Sequence, residues 1–388
     1  MSLAEGGASA RKKKIAYIRR GHFSYSNVRT GEQLRRIFPE YDIEEIDVID
    51  DILRRHEGVV LANLLHIVRR YWRELLTRRQ TVLLAFYRTP YIFQKIRELV
   101  RARLADRVGE FAFSVQTQSL YDASVPGLPH FVYTDHTHLA NLSYPGFPGD
   151  QLFSREWIDL EQEIYRNARH VFVMSDHVRR SLIDDYAFDP ARATCVYAGS
   201  NVDPAPVELA NDDYANQTIL FVGIDWERKG GPTLLAAFDL VAERLPRARL
   251  VIIGSSPHAS HPRVEVAGRV PRDEVKRRMT EASVFCLPTR AEPFGIAVVE
   301  AFHHRLPVVA SNIGAMPDLV RDGESGRLVQ PDDPAALADA LVALLSDPAQ
   351  CRRLGERGCA IAREHYSWDA VGDKIRAGIL AALAKTHA

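Results

Sequence analysis

Short apolar runs alternate with stretches of helical periodicity along almost the whole chain, in two series separated by a turn-rich segment. Such alternation marks strand–helix–strand units, so it predicts an α/β protein built on mostly parallel, doubly wound sheets. In the first series the strand-like runs are 14–19, 43–48, 81–87, 110–116, 131–134 and 170–174. Helical patterns cover 32–37, 50–79, 91–108 and 150–168, and Ser175 can cap a further helix that runs to Tyr186. In the second series the runs are 218–222, 249–253, 264–267, 284–287, 307–310 and 327–329. Helices are predicted over 232–245, with Leu234, Leu235, Phe238, Val241 and Leu245 on one face, and over 334–345 and 368–384. Residues 203–216 lack periodicity and read as a linker. At 388 residues the chain exceeds what one core usually holds, so the predicted domains are 14–202 and 217–366, followed by a terminal helical segment, 367–388. Two doubly wound domains imply a central cleft between the carboxyl ends of their sheets, where ligands bind.

Composition narrows the function. Lys+Arg and Asp+Glu are equal at 50 each, which argues against bulk attraction to nucleic acid. No run approaches the ~18 apolar residues that a spanning helix needs. Cys195, Cys286, Cys351 and Cys359 show no CxxC spacing and read as reduced thiols in a cytoplasmic protein. Residues 1–13 lack a signal-peptide apolar segment and are expected to be a disordered tail.

The densest chemistry lies in 287–301, where an apolar strand ends at Pro288, a polar turn follows and a helix opens near Gly295. Glu292 and Glu300 are eight residues apart, about 80° out of phase on a helix. One therefore belongs to the loop and the other to the helix, and the amides from Phe294 onward form a ready anion site. A helix cap plus a surface salt bridge would also account for the pair. A second segment, Gly223 to Gly231, carries Arg228 and Lys229 from a strand into a helix. Two cations there suit a diphosphate, although a solvated pair with Glu227 neutralising one of them fits the segment equally. A third places His136 and His138 after a strand; either a hydrogen-bonded loop role or a cleft-facing role fits, and no third metal partner is evident. Gly21 opens the loop after the first strand, where doubly wound folds hold phosphate, but without a GxGxxG. The helix at 63–79 sets Arg69, Arg70, Arg73, Arg78 and Arg79 opposite Leu and Trp. That pattern fits a solvated face or peripheral contact with the inner, anionic face of a membrane.

Taken together these segments resemble the retaining glycosyltransferases of family 4. The family hallmark, Glu-x7-Glu with Phe-Gly inside, is matched by Glu292 to Glu300, and its basic loop by Arg228-Lys229-Gly230. Pro307-Val308-Val309, Gly314 to Asp318, Asp322 to Gly326 and Ser367-Trp368 follow in the family's order, and Phe172 to Ser175 and Gly199 to Asp203 precede them. The resemblance is strong over 170–370 and weak before. It implies the GT-B fold, two Rossmann-like domains facing a central cleft, the first on the acceptor side and the second binding a nucleotide sugar, with the terminal helix crossing back to the first. It also implies transfer of a sugar from a nucleoside diphosphate sugar to a hydroxyl acceptor, with retention and no metal or cofactor. Its roles would be Glu300 on the ribose, Arg228 and Lys229 on the diphosphate, the Phe294, Gly295 and Ile296 backbone on the sugar, and Ala297 and Val298 on the phosphate or ribose side. Glu292 would face the donor sugar, Val270 would lie near the base, and His136 near the reacting sugar. Ile224 stands where many members carry Arg, His303-His304-Arg305 replaces the usual small residues, and the first loop lacks the common Gly-Gly pair. A nucleotide-sugar epimerase of the same fold, or a non-catalytic sugar-nucleotide-binding protein, is the alternative.

Overall fold

A computed structural model describes residues 12–21, 25–77, 81–200 and 214–385. The expected tail as far as residue 11, His22 to Ser24, Arg78, Arg79, and the expected linker as far as residue 213, lie outside them.

The first sheet has the order β2-β1-β3-β4-β5-β6. Its strands are β1 (Lys14–Arg19), β2 (Asp42–Asp47), β3 (Phe111–Thr117), β4 (His130–Thr134), β5 (His170–Val173) and β6 (Ala193–Cys195). β1 runs parallel to both neighbours, with Tyr17 opposite Glu45 on one side and Val115 on the other. Ile15 to Ile18 are fully buried, as a central strand covered on both faces requires. The helices among these strands are α1 (Tyr25–Ile37), α2 (Glu57–Leu76), α3 (Val82–Ala85), α4 (Pro90–Leu104), α5 (Arg155–Asn167) and α6 (Asp176–Asp184).

One expectation is overturned here. Residues 81–87, read as an apolar strand, form α3 and a 3₁₀ turn, Phe86–Arg88. Thr81 accepts from the Leu84 amide (3.3 Å), so a capping hydroxyl starts a helix where β-branched and aromatic residues suggested a strand. The helix expected from residue 50 also begins later, at Glu57, after a π turn over 48–52 and a 3₁₀ turn over 53–55.

The second sheet has the order β12-β11-β10-β7-β8-β9 and is parallel throughout. Its strands are β7 (Thr218–Val222), β8 (Arg249–Ile253), β9 (Val264–Gly268), β10 (Val284–Leu287), β11 (Val308–Ser311) and β12 (Gly326–Val329). Its helices are α7 (Gly231–Arg244), α8 (Arg272–Glu281), α9 (Ile296–His303), α10 (Met316–Leu319), α11 (Pro334–Leu345) and α12 (Pro348–His365), followed by α13 (Trp368–Ala384). On α7, Leu234, Phe238 and Val241 are fully buried, the face that the periodicity marked.

The chain divides into two compact units. One comprises Met1–Thr134, Phe153–Phe172 and Ile375–Ala388; the other comprises Asp135–Leu152 and Val173–Lys374. The first turn of α13 belongs to the second unit, where Trp368 Nε1 donates to Ser200 O (2.8 Å). Its last turns belong to the first unit, where Arg169 Nε donates to Ala382 O (2.7 Å). All four cysteines are free thiols, and Cys286, Cys351 and Cys359 are buried.

Candidate functional site

Strand order creates the site. β7 continues to β8 on one side while its other neighbour, β10, continues to β11 on the opposite side. The loops leaving β7 and β10 therefore sit together at a topological switch point, at the carboxyl end of the second sheet. A backbone bond and a side-chain bond lace the two loops. Arg290 N donates to Arg228 O (2.8 Å), and Arg228 Nη1 donates to Ala291 O (2.7 Å).

This lacing separates the two adjacent cations. Lys229 turns inward and its ammonium forms an ion pair with Glu292, both side chains being largely buried. Arg228 turns outward, donates from Nε to Asp225 (3.2 Å) and keeps a side chain that is 40% exposed. Sixty-three residues separate Lys229 from Glu292. The Glu292 carbonyl is held in turn, accepting from Ala315 N (3.1 Å) in the loop after β11.

α9 follows Gly295, whose φ of 106° lies in the left-handed region that favours glycine, and a Cβ there would also displace the Met316 methyl, 2.4 Å away. The first bond of the helix runs from Val298 N to Gly295 O (2.9 Å). The Gly295, Ile296 and Ala297 amides thus lie outside the helical ladder, beside the Lys229–Glu292 pair, and form a positive dipole end. Val298, Val299, Ala301 and Phe302 are fully buried and fix the helix, and Phe294 is buried beside them.

Glu300 sits on α9 one turn beyond the amides, and its carbonyl bonds the His304 ring (2.8 Å). Burial raises its carboxyl to about 7, against the opposing pull of Arg272 and Lys276 on α8. Val270, half-buried, lies in the turn between β9 and α8. Because Glu300 keeps its proton in the fold above the 4.5 at which an ordinary glutamate releases it, the folded state binds more protons between about pH 4.5 and 7. Stability is therefore expected to fall as pH rises through that window. Urea unfolding at about pH 4.5 and about pH 7.5 checks this, with Glu300→Gln showing the smaller fall.

His136 is half-buried in the second unit, its ring stacked on Tyr144 (centroids 6.0 Å apart, planes 11°). Burial lowers its pKa, which favours neutral imidazole at physiological pH. Tyr144 is tilted against His177, whose pKa burial lowers to about 4, with His136 and Arg180 adding to the fall. Tyr144 is 5% exposed, and among the described residues its hydroxyl has no hydrogen-bond partner. A Cβ at Gly314 would lie 3.1 Å from the Tyr144 ring and 2.4 Å from Glu292 O, so ring and carboxylate loop flank the same glycine. Burial first, and the Glu292 charge second, raise the phenol pKa. Sequence reasoning missed Tyr144, and nothing in Ser143-Tyr144-Pro145-Gly146 beyond a turn signal could have found it.

Of the residues expected from sequence, His136, Arg228, Lys229, Val270, Glu292, Phe294, Gly295, Ile296, Ala297, Val298 and Glu300 all fall in the second unit. Gly21 falls in the first, with its amide on Asp47 Oδ1 (3.1 Å).

Residues 216–347, which hold both loops, α9 and Glu300, match the family model described as glycosyl transferases group 1. This part of the chain is similar to the group 1 glycosyltransferases. A phosphatidyl-myo-inositol mannosyltransferase of Mycobacterium leprae (strain TN) is 36% identical over 215 residues, covering 52% of this chain and 56% of that protein. The chain thus spans about half the length of the curated relatives it matches first. Among solved structures, a sucrose-phosphate synthase from Thermosynechococcus elongatus has 22% identity, covers 76% of this chain and 79% of its own, and superposes with a TM-score of 0.61. The Anabaena protein HepE, solved with UDP, has 14% identity, covers 95% and 100%, and scores 0.65. Two parallel six-stranded sheets with these neighbours make the fold GT-B.

Proposed function

We propose that the chain is a retaining glycosyltransferase that moves a sugar from a nucleoside diphosphate sugar to a hydroxyl acceptor. The observation that carries this reading is the convergence of Lys229, Arg228 and the open amides of α9 at one switch point. As the glycosidic bond breaks, charge grows on the diphosphate oxygens. Preorganised donors and cations stabilise that charge by roughly a few kcal/mol each, and do so without a metal. The Gly295, Ile296 and Ala297 amides and Arg228 would hold the diphosphate. Lys229 would exchange part of its bond to Glu292 for a phosphate oxygen, which frees Glu292 to accept from donor-sugar hydroxyls. Glu300 would accept from the ribose, Val270 would lie by the base, and neutral His136 and the Tyr144 hydroxyl would border the sugar. The names of the relatives, a mannosyltransferase and a UDP-binding protein, favour a hexosyl donor. The curated relative's name favours an inositol-bearing acceptor.

A thermal-shift screen of UDP, GDP, ADP and their sugars tests this reading. One base is expected to stabilise the chain selectively, by about 2.7 kcal/mol at a ligand concentration ~100 times its dissociation constant. Turnover with the matching sugar nucleotide is expected to survive EDTA and to give a product of unchanged anomeric configuration by NMR. A flat response to every nucleotide would sink the proposal.

A further inference from the structure

Twelve large hydrophobic side chains are exposed among the described residues, and eight of them fall between Leu61 and Leu84. Lone exposed leucines are ordinary, but a concentration of this kind marks an interaction surface. On α2, Leu61, Leu65 and Val68 recur at helical spacing. After a break in helical geometry at Tyr71, Trp72 and Leu76 repeat one turn apart. α3 packs against α2 and adds Leu83 and Leu84. The outward direction of this ridge is fixed from behind. Asn63 and Ile67 are fully buried, Asn63 Nδ2 donates to Phe86 O (2.9 Å) and Tyr71 donates to Arg88 O (3.3 Å).

The ridge has a charged flank. Arg69, Arg70 and Arg73 are exposed, and among the described residues none has a carboxylate partner. Arg73 instead lies over the Trp72 ring, 5.1 Å from its centroid. Beside them opens a cavity of about 460 Å³ lined by His66, Arg69, Arg70, Tyr91, Gln94 and Glu156. His66 stacks on Tyr91 at 4.3 Å. Two guanidinium groups, an imidazole and an amide suit a phosphate, and the lone carboxylate suits a neighbouring hydroxyl.

We infer that the α2–α3 ridge docks on an anionic lipid surface, with the aliphatic side chains and Trp72 entering the interface and a phosphate headgroup held at the adjoining cavity. Apolar depth and unpaired arginines at one edge are the two terms that bind a helix to anionic bilayers. A second copy of the chain fits less well, because two-fold pairing of this face would bring both sets of unpaired arginines into one interface. The sequence pointed to the arginines of this helix; the structure adds the exposed ridge and the cavity.

Co-sedimentation of the full chain with vesicles of phosphatidylcholine, with and without phosphatidylglycerol, tests the inference. Binding is expected on the anionic vesicles, weaker in high salt, and much reduced on the neutral ones. Leu65→Ser with Leu83→Ser should lower partitioning by about tenfold or more on both. Arg69→Gln with Arg70→Gln should lower it by about tenfold on anionic vesicles only. Both doubles should keep the wild-type nucleotide-induced thermal shift. That shift reports the donor site separately, so a failed nucleotide screen with intact vesicle binding would remove the proposed reaction and leave this inference standing. Absent vesicle binding, equal binding by the serine variant, or a solution dimer that the serine variant splits would overturn it.

Discussion

Lys229→Ala is expected to cut sugar transfer by roughly two to three orders of magnitude, the usual effect of losing one preorganised charge donor at a reacting group. The structure adds a second consequence. Lys229 is the partner of a largely buried Glu292, so truncation leaves a carboxylate with neither water nor cation. Breaking such a pair costs roughly 3–5 kcal/mol, more than a surface pair could. The two effects separate in a double variant. Lys229→Met with Glu292→Gln removes both charges, so it should recover much of the stability while turnover stays low. Steady-state kinetics beside urea unfolding on the single and double variants reads both quantities. Near-normal turnover in Lys229→Ala, with the fold intact by circular dichroism, would remove Lys229 from the reaction.

Gly230→Ala should be the most damaging single methyl in the second unit. Gly230 has φ of 74° and precedes α7 directly, and a Cβ there would lie 1.7 Å from the Pro288 carbonyl oxygen. That oxygen belongs to the loop after β10, so the clash can be relieved only by moving the two laced loops apart. The left-handed conformation alone costs about 1–2 kcal/mol for an alanine, and the backbone clash should take the total past about 3 kcal/mol. Gly323 is the internal control. Its φ is 76°, but nothing lies within 4 Å of its Cβ position, so Gly323→Ala should show the conformational cost alone. Chemical denaturation of the two variants should differ clearly; equal losses would mean the loops yield more readily than their hydrogen bonds suggest.

The middle of the second sheet was readable because β10 and β11 are buried throughout and β7 and β8 over most of their length, and are hence continuously apolar. β7, β8 and β10 fall at the residues their hydrophobic runs marked. The same criterion misled at 81–87, where Leu83 and Leu84 are apolar because they are outward-facing ridge residues. β6, at three residues, is too short for any period to show, and α12, with its mixed surface of arginines and small residues, offered no clear apolar stripe. Within the site, Gly295 and the helix start were legible from local pattern, since a helix origin is a local matter. The Lys229–Glu292 pair was not, because it depends on β7 and β10 being neighbours, which is a property of strand order. Tyr144 was invisible for the same reason, its meaning resting on Gly314 and Glu292 more than a hundred residues away.

The thiols have a practical use. Burial pushes Cys195 and Cys351 up to about 12 and Cys286 higher still, so thiolate, the reactive form, is scarce on all three at neutral pH. Cys359 is 5% exposed. The wild-type background should therefore accept a reporter dye at a single introduced cysteine without first being stripped of its own. Leu83→Cys, at the most exposed of the large apolar positions, would carry an environment-sensitive fluorophore to the place where lipid contact is expected. Glu324→Cys would carry the same dye on an exposed loop of the second unit as a reference. A blue shift at the first position and none at the second, on adding anionic vesicles, would turn four inert sulfurs into the quiet background of an optical assay.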